Sequence, residues 1–437
     1  MRTPTPLVVL LLVLAGCSSG VSFTERPAAE ATAPVGPKDA ALATPNVETP
    51  TPTDTPTGTE RPASPESLAA SYDIDTEGGE LPVDYALVHA RVVSMLDARH
   101  TQPPERVRIE PDERMDVGAT RYPEFYRLLG ITVPEDRTRT LTAAAYVQSP
   151  DTVTVNRRIL DRSELTERTL AHESVHVVQF RTDAFRRTAA DVTVGRPTTD
   201  GFMVQRSITE GSATYVETEY AALYDLADPN ATESMGQRYR NNSGASKLGL
   251  APYYFGARYA DGRLEGPEEI DVLYTDPPRT SEQLVHGLDP DSEPVADLVV
   301  DAEAGGNWEH EPVARDRFGE LFVRVVLGSE LNESAAAAGA DGWGADERIA
   351  FANAGEGERG TGYAWVLRFD DAANATEFSA AFDGWEGARD ANDPVRTARI
   401  DGETIVVFLG SESFVESARA SSNGENGTVT VRIDGTD

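Results

Sequence analysis

The chain has 437 residues and a formal net charge of −34, from 73 acidic against 39 basic residues. The acids are spread throughout rather than gathered in a tail, which excludes nucleic acid as a partner, since phosphate binding needs basic surface. Lys is nearly absent beside Arg, and such a surface suits a high-salt medium that screens self-repulsion, or simple solubilisation of a surface protein.

Residues 1–17 read as a lipoprotein signal peptide. Arg2 precedes a short apolar run from Leu7 to Ala15, too short to span a bilayer, and the run ends in Leu14-Ala15-Gly16-Cys17. Cys17 is the chain's single cysteine, and L-A-G-C resembles the lipobox at which a lipidated cysteine becomes the mature N-terminus. The expected location is therefore the cell surface, lipid-anchored to the outer face of the cytoplasmic membrane. Residues 18–78 are rich in Pro and Thr and read as a disordered linker or glycosylated stalk. Sequons at Asn230, Asn241, Asn332, Asn374 and Asn426 fit export.

In chain order, the folded part opens with a helix over Asp84 to Ala98, a strand over Arg106 to Ile109 and a short helix over Tyr122 to Leu129. Thr140–Val147 and Thr152–Val155 alternate around Ser149-Pro150-Asp151 like a hairpin. The next helix, Leu165 to Phe180, follows an Asp161/Glu164 pair with capping-box spacing. It contains His172-Glu173-Ser174-Val175-His176, the pattern H-E-x-x-H. Four residues make slightly more than one turn, so the two imidazoles share a face and can grip one ion. Glu173 stands about 100° round the helix, placed to take a proton from a bound water. His89 and His100 have no flanking partner motif and read as structural or exposed.

A second helix runs from Ile208 to about Tyr224, opened by Glu210; Gly211 and Ala213 would let it approach the first. The two stretches together, H-E-x-x-H-x-x-Q and Glu210-Gly211-x-Ala213-x-Tyr215, resemble the gluzincins and, within them, a family of lipid-anchored surface metallopeptidases found among haloarchaea. The resemblance implies His172, His176 and Glu210 as ligands of Zn2+, with Glu217 and Glu219 as fallback ligands, and Glu173 as general base. Thr214 stands where many gluzincins carry an acid that orients a ligand histidine, leaving Glu217 as a candidate for that role. His286, in Pro277-Pro278-Arg279-Thr280-Ser281-Glu282-Gln283-Leu284-Val285-His286, and one of Tyr253 or Tyr254 are the nominees for stabilising the oxyanion. One of the two hairpin strands is the nominee for receiving a peptide backbone.

Residues 290–312 carry Gly305-Gly306 and read as a boundary. Beyond it, helices at Arg317–Leu327, Ala335–Ala338, Asp371–Phe382 and Phe414–Ala420 mix with strands at Ala364–Phe369 and Glu403–Leu409, and Thr428–Ile433 reads as an edge strand. Gly342-Trp343-Gly344-Ala345-Asp346 reads as a structural turn. The expected architecture is α+β: a mostly helical, zincin-like core over residues 79–300 and a smaller C-terminal α+β unit over 313–435. The function that follows is a lipid-anchored zinc metallopeptidase acting on a peptide or protein; the alternative is a non-catalytic, zinc-containing envelope-binding protein.

Overall fold

The computed structural model describes residues 64–434, apart from 113–121, 133–142, 193–195, 228–229, 313–314, 354–359, 390–392 and 423–426. The signal segment, Cys17 and most of the proposed linker lie outside the described residues. The chain is of mixed α+β class. Among the described residues, no helix is long and apolar enough to cross a membrane.

The folded part begins earlier than the composition suggests. Within the expected 18–78 linker lie α1 (Pro65–Ala69), capped by Ser64 with Pro at its first turn, and β1 (Asp75–Glu77). Leu68 and Ile74 pack against the core, which anchors this short stretch despite its polar surroundings. There follow α2 (Tyr85–Met95), capped by Asp84, then β2 (Arg106–Glu110), α3 (Glu124–Leu128), β3 (Ala145–Ser149) and β4 (Thr152–Asn156). These strands form one sheet in the order β1-β2-β4-β3, with β3 antiparallel to β4 and outermost among the described residues.

The helical layer follows: α4 (Ser163–Arg181), α5 (Ala184–Val192), α6 (Thr199–Leu223), α7 (Ala231–Arg240), α8 (Gly244–Arg263), α9 (Asp271–Thr275) and α10 (Ser281–His286). Asp161 does not cap α4; the cap position is Arg162, which makes no side-chain cap bond. Nor does Glu210 open its helix. Thr198 caps α6 at Gly201, and Glu210 lies three turns inside. Gly211 faces α8 rather than α4. A Cβ there would stand 2.3 Å from the Gly256 Cα, and one on Gly256 would meet the Ser207 carbonyl, so the two backbones touch where both lack side chains. That close crossing brings Tyr253 of α8 beside α4.

The last part contains β5 (Val299–Glu303), β6 (Trp308–His310), α11 (Gly319–Leu327), α12 (Glu333–Ala340), β7 (Trp343–Asn353), β8 (Thr361–Phe369), α13 (Ala372–Ala388), β9 (Val395–Arg399), β10 (Thr404–Gly410), α14 (Glu412–Ser417), β11 (Ala418–Ser422) and β12 (Thr428–Ile433). One sheet runs β6-β7-β8-β10-β9 and another β11-β12-β5. β12 is thus central rather than an edge, because β5 pairs parallel to it and β11 antiparallel. The expected boundary at 290–312 therefore contributes two strands to this part. The expected helix at Phe414–Ala420 is split, since its last residues leave α14 and join β11.

A single apolar cluster crosses between the two parts. Phe125 of α3 stacks against Phe322 and meets Phe318 and Trp365. Asp346 explains the G-W-G-x-D stretch. Gly342 turns with φ +68°, Trp343 then starts β7, and the buried Asp346 carboxylate accepts from the Phe318 and Gly319 amides and from both indole N–H groups of Trp343 and Trp365. Burial pushes that carboxyl up to about 7, while the Gly319 and Phe318 amides and the Trp365 indole pull the other way.

Candidate metal centre

His172 and His176 lie one turn apart on α4, with ring centroids 4.9 Å from each other. Glu210 reaches them from the middle of α6. Its Oε2 is 3.4 Å from His176 Nε2 and 3.7 Å from His172 Nε2. All three ligand atoms lie within 4.8 Å of one another, and all three residues are buried. A divalent ion held tetrahedrally at about 2.0–2.2 Å separates its ligand atoms by about 3.3–3.6 Å, so the spacing fits.

The hydrogen bonds fix which nitrogens face inward. Gln179 Nε2 donates to the Thr209 carbonyl at 2.9 Å, which can only accept, so the amide oxygen must be the atom facing His176 Nδ1 at 2.7 Å. His176 therefore donates from Nδ1 and presents the Nε2 lone pair. His172 Nδ1 faces the Glu217 carboxylate at 3.3 Å and must donate there too. Glu217 is itself held by Arg168 at 2.9 Å. The inward atoms, His172 Nε2, His176 Nε2 and Glu210 Oε2, have no hydrogen-bond partner among the described residues. Three buried polar atoms that face one another, with no hydrogen-bond partner among the described residues, make a cluster that can hold a metal ion.

Set against protein groups alone, the electrostatics are those of a cation-seeking pocket. Burial opposes charge on His172, but Glu210 and Glu217 outweigh it and push the imidazole up to about 10. Burial likewise opposes the Glu210 carboxylate, yet His172 and His176, with the Arg206 charge, hold it well below its ordinary range. Glu217 is also lowered against burial, by His172 and Arg168. Glu173 is fully buried beside this cluster; its charge acts on His172 and on Tyr85 of α2.

The remaining candidates separate. Tyr253 is buried, and its ring stacks 6.3 Å from that of His172. Tyr254 turns outward to Arg240 and Tyr239. His286 ends α10 with its Nε2 2.9 Å from Glu320 and 3.4 Å from Asp341. Its partners are thus Glu320 and Asp341 rather than the three donors. Glu217 stands behind His172 rather than among the ligands. His89 is buried, and burial pushes it down to about 3, which keeps it neutral. His100 lines a surface hollow of about 600 Å³ with Thr101, Gln102, Arg181, Thr182 and Arg187, none of them a donor of the cluster. Arg168 and Gln179 complete the surroundings of the two imidazoles. Their spacing was a signal: Arg168 is four residues before His172 and Gln179 three after His176, both on the imidazole face of α4.

A family model described as a domain of unknown function (DUF8575) matches residues 309–434, from β6 through β12. That stretch contains none of the three donors and not Glu173. No curated protein and no solved structure matches the chain.

Proposed function

We propose that this chain is a zinc metallopeptidase with a gluzincin-like core, carried on the outer face of the membrane by a lipidated Cys17 and a Pro/Thr-rich stalk. The observation that carries the reading is the convergence of two Nε2 atoms and one carboxylate oxygen, all buried and without a hydrogen-bond partner among the described residues, beside the Glu173 carboxylate. His172, His176 and Glu210 would hold the ion. A zinc ion so held supplies Lewis acidity, polarising a carbonyl and making a water acidic near neutral pH.

Glu173 takes the proton from the attacking water and returns it to the leaving amine. Glu217 and Gln179 hold the two imidazoles in the tautomer that leaves Nε2 bare. Tyr253, next to His172, is the nominee that remains for steadying the developing oxyanion. β3, outermost in its sheet among the described residues and packed beside α4, offers a backbone edge to an extended peptide. The test is Glu173→Gln: zinc content unchanged, cleavage of a peptide library at high salt abolished. Retained cleavage refutes Glu173 as base.

One observation favours a second reading, a closed zinc centre in an envelope-binding protein. His172, Glu173, His176 and Glu210 are at most 3% exposed. Such a protein would bind zinc with the same three residues, cleave nothing, and lose thermal stability when chelated.

A further inference from the structure

Gln179 joins the two helices that carry the donors. Its amide oxygen faces His176 Nδ1 at 2.7 Å, and its Nε2 lies 2.9 Å from the carbonyl of Thr209, the residue before Glu210. One side chain of α4 therefore touches both a donor imidazole and the backbone that carries the donor carboxylate. Ser212 and Tyr274 surround the same amide. Ser212 Oγ is 3.1 Å and the Tyr274 hydroxyl 3.0 Å from Gln179 Nε2, and the two hydroxyls are 3.0 Å apart. All three side chains are buried. Tyr274 comes from a third element, α9, whose Asp271 pairs with Arg187 of α5 at 2.6 Å. The Arg187 guanidinium carbon also lies 5.9 Å from the Tyr274 ring centroid, which holds the short helix in place from outside.

The hydrogens close on one arrangement. The Thr209 carbonyl can only accept, and it takes one amide hydrogen and, at 3.1 Å, the Ser212 hydroxyl hydrogen. The Tyr274 hydrogen then goes to Ser212 Oγ, which leaves the phenol oxygen to accept the second amide hydrogen. Burial pushes the phenol up to about 12, so it keeps that hydrogen at neutral pH. Turned end for end, the amide would set its oxygen against the Thr209 carbonyl and a donor against His176 Nδ1. His176 would then carry its hydrogen on Nε2, the atom that faces Glu210.

We infer that Tyr274, with Ser212, is a positioning residue of the metal centre: it locks the Gln179 amide and, through it, the tautomer of His176 and the register of α4 against α6. This rests on His172, His176 and Glu210 as zinc ligands and not on peptide cleavage.

The test is a double-mutant cycle in zinc affinity, read by competition against a chelator of known affinity. Tyr274→Phe keeps the ring and removes only the hydroxyl. It should weaken zinc binding roughly tenfold, the low end for a group that orients a ligand from outside. In a Gln179→Ala background the same change should cost nothing further, because the group it acts through is gone. Ser212→Ala should follow both patterns, and it carries the test if Tyr274→Phe does not fold. In zinc-loaded protein with isotope-labelled histidine, the His176 Nδ1 hydrogen should exchange with water faster in Tyr274→Phe, while that of His172, held by Glu217, stays as in the wild type. Unchanged affinity in Tyr274→Phe, or an equal loss with and without Gln179, overturns the inference. A wild type that takes up no zinc ends the ligand assignment itself, and the inference with it.

Discussion

Glu217 Oε2 lies 3.3 Å from His172 Nδ1, two turns after Glu210 on the same helix. Residues i and i+7 share a helix face, so one element carries both the carboxylate that would bind an ion and the carboxylate that orients a histidine behind it. The intervening Thr214 turns its hydroxyl to the Glu210 carbonyl and leaves the path open. Replacing Glu217 with Ala should weaken zinc binding roughly 10–100-fold while leaving the helical content intact. Competition against a chelator of known affinity measures this; unchanged affinity would mean His172 is held by other contacts.

The raised His172 gives a pH test with a definite sign. Its folded-state value, about 10, exceeds its ordinary 6.5. Its contribution to the metal-free fold is therefore complete below about 6.5 and is lost as pH rises towards 10. An ion needs the bare nitrogen, so zinc must expel that proton. Calorimetry at pH 8 in two buffers of different ionisation enthalpy should detect release of about one proton per zinc. Chelation should lower the melting temperature more at pH 9 than at pH 7. Proton-neutral binding at pH 8 would contradict this assignment.

Gly211→Ala should destabilise strongly, because the new methyl meets Gly256 backbone rather than a side chain that can rotate away. A loss of about 1–3 kcal/mol or more is expected in denaturant unfolding. A neutral result would mean that α6 and α8 part easily.

Glu282 on α10 is buried, and burial, then the Glu320, Asp370 and Glu293 charges, push it up to about 9. A carboxyl raised above its unfolded value supports the fold below about 4.5 and loses that support as pH climbs through 9. Glu282→Gln should therefore stabilise at pH 7.5, by up to about 4 kcal/mol at about 1.4 kcal/mol for each pH unit above 4.5, and give no gain at pH 4. Equal effects at both pH values would show that the charge is not the cause.

What the sequence discloses follows from how local each relationship is. The pentad and its helix are set by i, i+4 spacing, and Glu210 by a likeness over a few residues, so all three donors were legible. α2 was legible from the apolar stripe of Val88, Val92, Met95 and Leu96, and α13 from a capping aspartate at Asp370 or Asp371, of which Asp371 is the cap. Partners chosen by tertiary packing were not. Gly211 gives no sign of whether it faces α4 or α8, and His286 gives none that Glu320 and Asp341 will take its ring. Asp346 reads as part of a turn, although its carboxylate collects four donors from three separate stretches of chain. β5 and β6 lie in an acidic, glycine-bearing segment that reads as a boundary, and only their partners β12 and β7 make them strands.

The most direct measurement is an anomalous difference map at the zinc absorption edge, from crystals of the chain prepared with zinc. One strong peak is expected about 2.0–2.2 Å from His172 Nε2, His176 Nε2 and a Glu210 carboxylate oxygen. No peak at that point, or zinc bound only at other residues, would contradict it.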